Sequence, residues 1–213
     1  MTTQQISIPV LDHLVFAAPH LADAVEWFTA ETGVQPAPGG SHPGLGTANH
    51  LVGLGGAAYL EIIGPDPDQP DPELPRPFGI DDLPAGRIVT WAVRPRDLES
   101  TVAEARAAGY DPGEIQAMSR DTPHGVVLHW RLTRPRFDVG DGLVPFLIDW
   151  GTTPHPTTRA LPQAPLLAWQ ATHPQPDSVR PALAALRADL HIEVGDVAAL
   201  SATVEGPDGP VTF

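Results

Sequence analysis

An order of elements that occurs twice limits the folding of this chain more than any other feature. Residues 11–18 (LDHLVFAA) are a short apolar run with β-branched and aromatic content, closed by Pro19, and predict a strand. Residues 20–33 predict a helix, with Leu21, Ala24, Val25 and Phe28 at helical spacing and Gly33 placed to end it. A Gly/Pro-rich loop over 36–46, with room for a short strand near Val34, leads to apolar segments 48–54 and 57–63. Gly55-Gly56 joins these as a hairpin. Residues 65–77 (PDPDQPDPELPRP) have the composition of an extended linker. Then the order begins again: a strand over 87–93, a helix over 97–109 with Asp97 as N-cap, and strands over 126–132 and 144–150. His20, opening the first helix, lies over Asp97, opening the second, a shift of 77 residues that sets His13 over Thr90. Such a repeat says more about fold than any single motif.

A third copy starts and stops short. Residues 166–172 predict a strand, 177–186 a helix, and 200–205 with 211–213 a hairpin about Gly206 and Gly209. This tail reads as half a module covering an otherwise open sheet edge. The expected organisation is a first βαβββ module over 8–65, a linker over 66–86, a second module over 87–160, and a partial module over 164–213. The fold class expected is α+β: a curved, cup-like mixed sheet with helices outside.

Composition narrows the chemistry. At 213 residues with 42% hydrophobic and 18% charged, the chain can bury a core. Net charge is −14, which disfavours nucleic acid and anionic membrane surfaces as partners. No apolar run approaches membrane-spanning length and MTTQQISIPV lacks a signal-peptide pattern, so a cytoplasmic protein is expected. There is no cysteine, hence no thiol nucleophile, disulfide or thiolate metal site. All 12 basic residues are arginine, so Schiff-base and phosphate-loop lysine chemistry are absent. Nucleophile-elbow, dinucleotide and His-Glu-x-x-His patterns are not found.

The segment 11–33 resembles the opening strand and helix of the vicinal oxygen chelate superfamily (glyoxalase, bleomycin resistance and extradiol dioxygenase proteins). More narrowly, the chain is similar to its glyoxalase-like domain subgroup. The carrying residues are Gly39, Gly40 and His42; Gly46, Thr47 and Asn49; Tyr59, Leu60, Glu61 and Ile62; then 129–132 (HWRL), 145–151 (PFLIDWG) and His155-Pro156. The likeness covers about the first 160 residues and implies the fold, not a reaction, because the superfamily hosts isomerases, dioxygenases, epimerases and metal-free binders.

The resemblance also implies a divalent metal in the cup, held from first and last strands. The matching positions are His13 and Glu61, with His129 a further candidate ligand. Imidazole and carboxylate suit Mn, Fe, Ni or Zn. Strand alternation puts Tyr59 beside Glu61. In the second half the match to His13 is Thr90, a poor ligand, and Asp149 points out if Phe146, Ile148 and Trp150 point in. His13 and Glu61 are the candidate catalytic pair; His42, Asn49, Tyr59, Trp130 and Trp150 are candidate pocket residues. His155 reads as a solvated loop residue, and His50, His124, His173 and His191 as surface or structural.

Two readings follow. The first is a lyase, isomerase or dioxygenase acting on a small oxygen-bearing molecule in the cup, with a metal polarising its oxygens. The second is a metal-free binding or resistance protein whose aromatics stack a planar ligand, a cationic one given the acidic charge. Relatives often pair modules between chains, which makes a homodimer a candidate assembly. Here two modules in one chain suffice to close the cup.

Overall fold

A computed structural model describes residues 9–122 and 125–213; His124 falls outside these residues. The first module is β1 (Val10–Ala17), α1 (Leu21–Thr32), β2 (Ala37–His42), β3 (Thr47–Gly53) and β4 (Tyr59–Pro65). The second is β5 (Arg87–Arg94), α2 (Leu98–Ala107), β6 (Ile115–Asp121), β7 (Val127–Thr133) and β8 (Phe146–Asp149). Their strands close into one eight-stranded barrel in the order β1-β4-β3-β2-β6-β7-β8-β5, so the expected cup has no open side. Within each module the first strand runs parallel to the last, β1 with β4 and β5 with β8.

The repeat is visible in the register. A shift of 77 carries His13 onto Thr90 and Val15 onto Ala92, and the β1–β5 ladder pairs His13 with Ala92 and Val15 with Thr90. The two modules are therefore related by a dyad through that ladder. Caps form where the helix signals stand: the Asp97 carboxylate accepts from the Ser100 N–H at 2.7 Å, and Gly33 ends α1 with φ of 69°.

Alternation along the strands sorts side chains into two cores. Val15, Leu51, Tyr59, Ile63, Phe146, Ile148 and Trp150 point into the barrel. Leu14, Phe16, Leu60, Ile62, Trp91 and Leu147 point outward, where Val25 and Phe28 of α1 and Val102 of α2 cover them. Full burial of a side chain such as Phe28 or Leu147 stabilises by about 1.5–3 kcal/mol.

Two features of the barrel depart from expectation. Strand β2 forms where the sequence reads as loop and β6 where it predicts no element, and they meet each other, Ser41 opposite Asp121, to seal the barrel. The proline-rich linker is extended only in its first part. From Pro77 to Asp82 it makes a 3-10 turn that drives Ile80, fully buried, into the inner core. Arg76 anchors that turn through Asp71 at 2.6 Å, Asp81 at 2.7 Å and the Gly46 carbonyl at 3.0 Å.

The tail is β9 (Leu166–His173), α3 (Pro176–Leu186), β10 (Ile192–Val194), β11 (Ala199–Gly206) and β12 (Gly209–Thr212), a separate sheet in the order β10-β9-β11-β12. It covers no sheet edge, because a closed barrel has none. Instead it covers the outer face of β1 and β5. Trp169 meets Trp91 at 4.5 Å between ring centroids, and Phe213 packs among Phe16, Trp27 and Phe28. No helix among the described residues is long and apolar enough to cross a membrane.

Candidate functional site

The barrel interior holds one polar patch, and β1 begins it. The β1–β5 register slips between Leu11 and His13, leaving Asp12 without a partner on β5. At such a bulge neighbouring side chains need not face opposite ways. Asp12 and His13 are both buried, and His13 Nδ1 lies 2.7 Å from Asp12 Oδ1. The second oxygen of Asp12 accepts from Trp150 Nε1 at 3.2 Å and His155 Nε2 at 3.0 Å, with Arg94 Nη1 at 3.4 Å. Burial by itself would raise the Asp12 carboxyl; the hydrogen bonds and charges of His13 and His155 outweigh it and hold the group well below the usual carboxylate range. A carboxylate only accepts, so the His13 proton sits on Nδ1 and Nε2 is left facing the cavity.

Across the cavity floor stands Glu61 of β4, its Oε2 at 3.6 Å from His13 Nε2. Its Oε1 accepts from the Asn49 amide of β3, and Asn49 Oδ1 accepts from Arg120 Nη1 of β6 at 2.7 Å. Arginine only donates and a carboxylate only accepts, so this chain settles which way the Asn49 amide faces. Arg120 is 2% exposed, and its Nε and Nη2 are buried with no hydrogen-bond partner among the described residues. Gly39 makes room for the crossing: a Cβ there would lie 2.1 Å from Asn49 Oδ1 and 2.5 Å from Arg120 Nη1. Gly40, beside it, is also required by packing, since a Cβ there would lie 1.8 Å from the Asp121 carbonyl oxygen.

His42, at the end of β2, places Nδ1 at 3.1 Å from Thr47 Oγ1 and Nε2 at 3.9 Å from Glu61 Oε1. Burial pushes its imidazole down, which favours the neutral form. The Tyr59 ring stacks on His13 with centroids 4.7 Å apart; burial, then the charges of Asp12 and Glu61, push its hydroxyl up, so it stays protonated. Trp130 and Trp150 form one wall, 5.4 Å between centroids, and Phe146 meets His13 edge-on. Pro77, Phe78 and Leu45 rim the cavity of about 80 Å³, room for a few waters or one small polar molecule.

The seven residues expected at the site, His13, His42, Asn49, Tyr59, Glu61, Trp130 and Trp150, all line this cavity. His129 does not. It is exposed on β7, while Trp130 and Leu132 on the alternate face turn inward, so it cannot serve as a ligand here. His155 is not a solvated loop residue; its side chain is 11% exposed and rests on Asp12, Trp150 and Tyr59. Sequence reading missed Arg120 and the role of Asp12. Asp12 had a signal in its place beside His13; Arg120 had none, lying in an unrecognised strand.

The fold family implies a metal, and these residues do not fit a chelated ion. Val15 pairs with Glu61 on β4, and its dyad mate Ala92 pairs with Phe146 on β8. The second module therefore offers Thr90 and Phe146 where the first offers His13 and Glu61. Glu61 turns one oxygen toward His13 and the other toward His42, and the latter already accepts from Asn49. Among the described residues no group of three or more His, Asp or Glu side chains could hold an ion.

Residues 11–187 match the family model described as the glyoxalase-like domain. The chain belongs to that family. Its fold is that of the vicinal oxygen chelate superfamily, closed here into a barrel. No curated protein matches the sequence. Among solved structures, a hypothetical protein from Staphylococcus aureus is similar with a TM-score of 0.67 at 14% identity, over 90% of this glyoxalase-like chain and 88% of its own. Methylmalonyl-CoA epimerase from Mycobacterium tuberculosis is similar with a TM-score of 0.45 at 18% identity, over 74% and 98%. The first likeness shows the fold alone, and the second carries no argument about activity.

Proposed function

We propose that this chain is an enzyme of lyase or isomerase type that moves a proton on a small oxygen-bearing molecule held in the barrel. The observation that supports it is the line Asp12–His13–Glu61, with His13 Nδ1 fixed by Asp12 and Nε2 set 3.6 Å from Glu61 Oε2 at the cavity floor. A buried imidazole held in one tautomer by a carboxylate, with its other nitrogen turned to a second carboxylate, is a proton-transfer device. In the working form one of the two atoms, Nε2 or Oε2, carries a proton and the other does not. The atom without it removes a proton from carbon beside a carbonyl; the atom with it protonates the carbonyl oxygen, and reversal at the neighbouring carbon completes an isomerisation. The stacked Tyr59 and the apolar rim keep bulk water from quenching the enol.

The aromatic walls favour a second reading, a binding protein without turnover. Proton exchange separates the two. Small hydroxycarbonyls and 2-oxo acids are incubated with the protein in D2O, and loss of the C–H signal beside the carbonyl is followed by NMR. Enzymatic exchange that falls about 100-fold in both His13→Ala and Glu61→Gln supports the enzyme. Saturable binding with no exchange for any compound overturns it in favour of the binder.

A further inference from the structure

We infer that the molecule bound in the barrel carries a carboxylate, and that Arg120 is the residue that selects it. The inference rests on the reading of the cup as a substrate site and adds the substrate's second handle. Arg120 lines the cavity, and its Nη1 is spoken for by Asn49. The nitrogens left over, Nε and Nη2, are the side-on edge of the guanidinium, whose two N–H bonds run parallel. Both are buried and have no acceptor among the described residues. A buried cation with its donor pair unmatched is unfavourable, and folding does not remove it, because the strand carrying Arg120 seals the barrel against β2. A carboxylate matches that edge with two oxygens at once.

Size and charge point the same way. The cavity admits a molecule of a few heavy atoms, which suits a short oxo or hydroxy acid. A cationic ligand, the expectation from the net charge of −14, would meet the Arg120 guanidinium, which lines the cavity beside Glu61. Glu61 is linked to Arg120 only through Asn49, so the carboxylate of the ligand and that of Glu61 lie on different edges of the network. Arg120, His13 and Glu61 line the same cavity, so a small acid held by Arg120 shares it with the proton-transfer pair.

The test compares pyruvate with pyruvamide, equal in size and different in charge, by calorimetric titration of the full-length protein. Pyruvate is expected to bind about 10- to 100-fold tighter, the margin of a charge-assisted bidentate contact. Arg120→Met should abolish that preference, and Arg120→Lys should fall between, keeping the charge without the fork. Equal affinity of the two compounds for the native protein overturns the inference, and needs no variant that folds. So does failure of formate, acetate and pyruvate alike to bind below about 10 mM. The proton-transfer reading fails separately: His13→Ala should keep its preference for pyruvate while losing exchange, and exchange that survives in His13→Ala sinks that reading without touching Arg120.

Discussion

Asp12 and His155 stand 143 residues apart in the chain and 3.0 Å apart in the barrel, where His155 Nε2 donates to the carboxylate that also holds His13. The contact ties the loop after β8 to the first strand, so the second module supports a side chain that belongs to the first.

Replacing Asp12 by Asn should leave the fold and lower turnover by about 100-fold, because an amide no longer fixes the His13 proton on Nδ1. The variant also has a pH signature. A carboxyl whose folded value lies below its ordinary 3.8 adds stability that is present above that value and lost as pH falls beneath it. Denaturation curves from pH 6 down to pH 2 should show the native protein losing more stability than Asp12→Asn. Parallel curves would show that Asp12 is not held as the geometry requires.

Gly39→Ala tests the packing beneath the polar network. The added methyl would sit 2.1 Å from Asn49 Oδ1, against a side chain clamped between Arg120 and Glu61. Urea denaturation should report a loss of about 1–3 kcal/mol. A neutral result would mean that the Asn49–Arg120 contact yields without cost.

Phe78 adopts φ of 64°, a left-handed conformation that a bulky side chain enters at a cost of about 1–3 kcal/mol. It does so at the rim of the cavity, on the turn that buries Ile80. Phe78→Gly should relieve that strain and remove part of the cover. Stability is expected to change by less than about 1 kcal/mol while KM rises several-fold. An unchanged KM would deny Phe78 any part in closing the site.

Elemental analysis of the purified protein should find Mn, Fe, Ni and Zn each well below one per chain, with no dependence on His13 or Glu61. Near-stoichiometric metal that disappears in both His13→Ala and Glu61→Ala would overturn the assignment of Thr90 and Phe146 as the places where chelation fails.

Local pattern was enough for much of this. The 77-residue shift sets His13 over Thr90 and Val15 over Ala92, and the β1–β5 ladder pairs His13 with Ala92 and Val15 with Thr90. Strand alternation set Tyr59 beside Glu61, and turned Asp149 outward, where it meets Arg131 instead of the cavity. These features are legible because each depends on residues a few positions apart, where period two or period 3.6 decides what faces inward. Strands β2 and β6 were not legible. The Gly and Pro of β2 (APGGSH) and the mixed polar run of β6 (IQAMSRD) carry no strong periodic signal, and the two strands meet to close the barrel. Arg120 stayed hidden for the same reason, since its importance comes from Asn49 on another strand and from the room left by Gly39. The sequence by itself determined the order of the elements, the helices and which side chains share a strand face. Only the tertiary structure decided that the sheet closes, that the linker turns in to cover the mouth, and that a buried arginine shares the barrel with His13 and Glu61. Closure and burial are sums over contacts between distant segments, and no window along the chain contains them.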